Sequence, residues 1–225
     1  MAVPKTVTWE RDPHTQAKHQ ILKEYLQAYF PIMANRFADV GVCFVDAFAG
    51  PGEYTDGALG SPVLALRAAR HPQVYRSRAA MDFVYIEKDP NRSAHLKELL
   101  SNEEIPSQFH ITPETGACED VLLPTLDRLG VWSRPIFVNF DGWGVDTPFA
   151  LVARIGESKR PEVLVTFHSQ WLTRFADKED TSAGDEVSVT KHGERSRSFR
   201  HLKRKNDSWS TSTESGSPSV GSHTN

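Results

Sequence analysis

Three carboxylates stand at the ends of three apolar runs: Asp46 after GVCFV, Glu87 after DFVYI and Asp141 after RPIFVNF. The first is followed by AFAGPG, so Gly50 and Gly52 come within six residues of the acid. Ionised carboxylates accept hydrogen bonds from hydroxyls and from ammonium groups. Glycines allow a ligand to approach the backbone where a side chain would collide with it. One acid at a strand exit is unremarkable, because acids are common there. Three in series along one edge predict a ligand site.

The elements that must position these groups follow from periodicity. Asp12-Pro13 reads as an N-cap and first-turn proline. The helix it opens, over 13–36, carries Leu22, Tyr25, Leu26, Tyr29 and Met33 at helical spacing, with Pro31 expected to end or kink it. His14, Lys18, Leu22 and Leu26 share one face at i, i+4 spacing, which places Lys18 either at a cleft mouth or over the core as a snorkelling side chain. GVCFVDAF is a buried strand. SPVLALRAAR is a helix with Ser61 as its cap and Pro62 at its first position. DFVYIEKDP is a second strand, and Asp89 caps the following helix, NRSAHLKELLSN, whose Leu96, Leu99 and Leu100 form a stripe. FHIT is a third strand, EDVLLPTLDRLG a helix, RPIFVNF a fourth strand, PFALVARIGES a helix and PEVLVTFH a fifth strand. Strands alternating with helices predict an α/β, Rossmann-like fold with a parallel sheet covered on both faces. In such sheets ligands bind at the carboxyl ends of the strands.

The totals set limits on this reading. The chain has 225 residues, 39% apolar and 24% charged, which suits a globular domain with a sizeable core. A net charge of −3 argues against a strongly basic coat for nucleic acid. Two cysteines, Cys43 and Cys118, without ligand spacing suit a reducing cytoplasm and predict no structural metal. The start, MAVPKTVTWERD, lacks a leader pattern, and no apolar run is long enough for a membrane span. The expected location is therefore cytoplasmic. After residue 176 the composition changes: eleven serines and few large apolar residues predict a disordered tail over 177–225. Its basic stretch HGERSRSFRHLKRK suits either a nucleic-acid tail or a segment with no evolved role. Codons for SVTKHGE, from Ser188, can be read one nucleotide out of frame as Phe-Gly-Asp-Gln-Ala-Trp-Arg, so a frameshifted, truncated C-terminal part is expected. A chain truncated in this way is expected to be weakly stable.

The spacing after Asp46 departs from G-x-G-x-x-G, which weighs against a dinucleotide site and an NAD-linked oxidoreductase. It is similar instead to the first loop of S-adenosylmethionine-dependent methyltransferases, where the acid receives the cofactor's ammonium or a bridging water. Glu87 then suits the two ribose hydroxyls. In GACED, Cys118 and Glu119 either flank the adenine or begin a solvated helix. NFDGWG resembles the Asp-Pro-Pro-Tyr loop of amino-methylating enzymes. Asp141 would hold the target amine in line and Trp143 would stack on a base. The alternative is a turn in which Asp141 caps and Trp143 packs.

HTQAKHQILKEYLQAYF, FVDAFAGPGEY with GSPVLAL, YIEKD and the DGWG tip together resemble the three-Cys-motif partner protein family over roughly residues 8 to 175, FAGPG…GSP being the most specific part. The resemblance implies a Rossmann-like methyltransferase-type fold, S-adenosylmethionine as cofactor, and a partner protein that carries the three cysteines. It implies cofactor-loop roles for Asp46, Gly50 and Gly52, a ribose role for Glu87 and an active-site role for Asp141. Phe48 is expected to join the cofactor loop, and Lys18 and Trp143 the active-site residues. Gly142 departs from the family's usual Asp-Pro-aromatic-Gly, and the tail departs from the family entirely. The expected function is methyl transfer to an amino group, with a nucleic acid among the acceptors. The alternative is a non-catalytic subunit that keeps the fold and binds the partner.

Overall fold

The computed structural model describes residues 6–142 and 149–166. Five strands, β1 (Val42–Asp46), β2 (Met81–Glu87), β3 (Phe109–Thr115), β4 (Pro135–Phe140) and β5 (Arg160–Val165), form one sheet in the order β3-β2-β1-β4-β5. Every pairing is parallel. The architecture is the α/β, Rossmann-like one expected. Among the described residues, no helix is long and apolar enough to cross a membrane.

Strand alternation divides the core in two. Val42, Phe44, Phe83, Tyr85 and Phe137 face one side and pack with α1 (Pro13–Arg36), α2 (Ser61–Ala69), α3 (Pro72–Ser77) and α4 (Pro90–Ser101). Cys43, Val45, Val84, Ile86, Ile136 and Val138 face the other side, against α5 (Cys118–Leu129) and α6 (Phe149–Gly156). Burial on both faces is why β1, β2 and β4 read as continuous apolar runs. Phe44 lies at the centre, 5.7 Å from Phe137 and 5.9 Å from Phe30 between ring centroids.

Three local expectations need correction. Pro31 does not end α1, which continues to Arg36. A proline removes one backbone donor, and the burial of Phe30, Pro31 and Ala34 against the sheet holds the helix together past that point. Ser61 is not the cap of α2. Gly60 occupies that position, and its N–H donates to the Gly52 carbonyl at 2.7 Å. The third element, α3, was not expected from the sequence. It is six residues long, buries Val74 alone, and so carries almost no periodic signal. Asp12 and Asp89 do cap α1 and α4, accepting from Thr15 N–H at 2.8 Å and from Asn91 N–H at 2.9 Å. The tail over 177–225, with its expected disorder and frameshift, lies outside the described residues.

Candidate active site

The strand order reverses at β1. The chain leaves β1 toward β2 on one side and returns through β4 on the other, the strand order that opens a crevice at the carboxyl ends of such strands. Asp46 and Asn139 are register partners across that crevice. The Asn139 amide donates to Asp46 Oδ1 at 3.4 Å, as does the Phe48 N–H at 3.4 Å. Asp46 is fully buried, and its other oxygen, Oδ2, has no hydrogen-bond partner. Burial pushes its pKa up to about 7, the Ser61 hydroxyl opposes that rise, and the Asp141 carboxylate adds to it. A buried carboxylate with an unused oxygen is costly on its own and suits a donor brought by a ligand.

The two loop glycines do different work. Gly50, at φ 63°, takes a left-handed conformation that favours glycine, and an added Cβ there would meet only Trp9, at 3.6 Å; its backbone faces the Glu87 carboxylate. Gly52, at φ 86°, is packed: a Cβ would fall 2.7 Å from Leu96 and 2.8 Å from Leu99. Gly60 closes the loop from the other end, where a Cβ would stand 2.9 Å from the backbone of Gly52. Backbone cannot yield as a side-chain tip can. Gly60→Ala is therefore expected to destabilise the protein by about 2–3 kcal/mol. Thermal melting checks this, and an unchanged midpoint would show that the loop is not held as described.

Glu87 ends β2, one strand from Asp46, and is buried. Its Oε1 accepts from the Asp89 N–H at 2.7 Å. Burial raises its pKa, and the Asp89 N–H and the Arg92 guanidinium partly offset that rise. A carboxylate has about four acceptor sites, so this bond leaves capacity for hydroxyls. The loops after β1 and β2 are tied together by Ala49 N–H to the Ile86 carbonyl at 2.8 Å.

On the opposite wall the chain brings together two residues 123 positions apart. Lys18 Nζ, from α1, donates to Asp141 Oδ1 at 2.7 Å, with both side chains partly buried. Beside them is His19, which sequence reasoning missed. It is buried, its Nδ1 has no partner, and Nε2 lies 3.5 Å from the Tyr54 hydroxyl. Burial lowers its pKa to about 4, a shift that Asp141 resists and Lys18 reinforces. Tyr54 is held protonated by burial and then by the Asp141 and Asp46 carboxylates. His14, expected on the inward face, is exposed. The buried stripe runs through His19, Leu22, Leu26 and Tyr29 instead. His19 precedes Leu22 by three residues, so the 3.6-residue period was the available signal.

Phe48, Cys118 and Glu119 lie in different surroundings. Phe48 packs under the β4 tip, its ring 3.1 Å from where a Gly142 Cβ would stand, so Gly142 makes room for it. Cys118 begins α5 and is buried in the second core, which pushes its thiol up to about 12. Glu119 is exposed in the first turn of α5. Trp143 lies outside the described residues. Among the described residues no three metal-ligating side chains converge.

The chemistry of these groups fits the cofactor that the resemblance implies. Asp46 Oδ2 accepts no well-aligned hydrogen bond, although the Ser61 hydroxyl is close enough to lower the carboxyl pKa, and Glu87 has acceptor capacity on the adjacent strand. No protein-family model matches the chain. No curated protein matches it either.

Proposed function

We propose that the chain is an S-adenosylmethionine-dependent methyltransferase of the three-Cys-motif partner type, acting in the cytoplasm on an amino group, with a nucleic acid among its acceptors. The observation that carries this reading is the partnerless oxygen of buried Asp46, at the switch point and one strand from Glu87. Asp46 and the Gly50 backbone would hold the amino-acid end of the cofactor, and Glu87 its ribose. The cofactor supplies a methyl group already activated on a sulfonium. Asp141 accepts an N–H of the acceptor amine, orients its lone pair, and stabilises the positive charge that develops on nitrogen. Lys18, donating to Asp141 Oδ1 at 2.7 Å, fixes the carboxylate in direction. Asn139, bonded to Asp46, couples the two walls of the crevice.

A second reading, a non-catalytic subunit that binds a three-Cys-motif protein, is favoured by Gly142, which departs from the family's Asp-Pro-aromatic-Gly and instead makes room for the Phe48 ring. Methyl-labelled S-adenosylmethionine distinguishes the two. Incubation with DNA, RNA and small amines, with and without the partner, is expected to leave label on an acceptor. Cofactor binding with no label on any acceptor would replace the enzyme by the subunit.

A further inference from the structure

A cleft of about 240 Å³ opens on the flank of α1. Its polar lining comes from Arg11, Gln16, His19, Gln20 and Lys23. Leu59, from the end of the glycine loop, and Leu64, from α2, give it an apolar floor. The lining thus holds two cations, two amides and an imidazole, with no carboxylate. Two outer carboxylates orient these groups: Asp56 lies 3.5 Å from Arg11, and Glu24 accepts from Gln20 at 2.5 Å. His19 also borders the cleft, and its buried Nδ1 has no hydrogen-bond partner. An orphaned buried nitrogen costs stability unless something bonds to it.

We propose that this cleft binds the phosphate and adjoining ring of a nucleotide. Arg11 and Lys23 match the phosphate charge, and the glutamine amides supply further donors. Leu59 and Leu64 offer a surface to a flat ring. The volume, about eight water molecules' share, suits a phosphate with part of its adjoining ring, the rest of the nucleotide lying outside. The same chemistry comes from a free mononucleotide or from one unit of a strand. A strand is compatible with a net charge of −3, because the cationic lining is local. Nucleotide binding here stands apart from the methyltransferase reading: it needs neither the cofactor nor methyl transfer.

The test is a titration of the full chain with adenosine monophosphate and, separately, with a single-stranded oligonucleotide, without cofactor and at several salt concentrations. Lys23→Glu and Arg11→Ala are compared with Arg154→Glu, a charge reversal on α6 across the sheet. Melting curves establish that each variant is folded. At least one of the two probes is expected to bind, with affinity about tenfold weaker in Lys23→Glu and a salt slope smaller by about one. Arg154→Glu is expected to change neither. Binding of the oligonucleotide alone assigns the cleft to a strand, and binding of the monophosphate to a free nucleotide. Binding of neither probe, or binding that Lys23→Glu and Arg11→Ala leave unchanged, overturns the proposal. A parallel titration with S-adenosylmethionine keeps this outcome separate from the cofactor reading.

Discussion

Asp46→Asn is expected to raise the melting temperature of the free protein by roughly 5–15 °C near pH 8. The gain follows from proton linkage. The folded-state pKa of Asp46 is about 7, against an ordinary value of 3.8. Below about pH 3.8 both folded and unfolded chains hold the proton, and ionisation costs nothing. Between the two values the unfolded chain ionises first, so each rise in pH favours unfolding. Above about pH 7 the whole cost stands, roughly 4 kcal/mol at most. The variant removes that cost and keeps the acceptor used by Asn139 and Phe48, so its advantage should vanish near pH 3.5. His19 has the opposite sign, its folded pKa being lowered from 6.5 to about 4, so its contribution is lost as pH falls. It acts equally in both chains and cancels in the comparison. Melting curves across the pH range check the prediction, and a gain independent of pH would mean that Asp46 is not ionised at a cost. The same substitution is expected to weaken S-adenosylmethionine binding about tenfold, because a neutral amide is a poorer acceptor for an ammonium. Stability gained where affinity is lost marks a residue kept for function.

Asp141→Asn is expected to lower methyl transfer about 100-fold or more while leaving cofactor affinity within about twofold. The carboxylate stands on the wall opposite the glycine loop, so its loss removes acceptor orientation and charge stabilisation without touching the cofactor groups. Lys18→Met should act in the same direction by a smaller amount, because it frees Asp141 without removing it. If Lys18 and Asp141 form a purely structural clamp, both variants lose stability by about 1–2 kcal/mol and neither changes transfer beyond that. Single-turnover rates measured beside melting temperatures separate these outcomes.

The sheet was legible because its three central strands are buried on both faces and end in acids. The caps at Asp12 and Asp89 were legible for a local reason: a short carboxylate followed by proline has few other uses. Where the sequence misled, the decisive contact was distant. Gly60 caps α2 because Gly52 lies against it, and no local pattern near Ser61 records that approach. Lys18 and Asp141 were each singled out, but their pairing depends on how α1 crosses the sheet. His19 was hidden by counting the inward face in steps of four, which carries His14 and Lys18 onto a stripe that in fact turns through His19 and Leu22. Phe48 was expected in the cofactor loop, and its packing against Gly142 is a distant contact that only the folded chain records.

Calorimetric titration of the folded protein with S-adenosylmethionine, beside Glu87→Ala, tests the cofactor site most directly. A dissociation constant between roughly 1 µM and 1 mM is expected, with affinity at least about tenfold lower in Glu87→Ala. No heat of binding from the folded chain, or affinity that Glu87→Ala leaves unchanged, would contradict a cofactor site at the ends of β1 and β2.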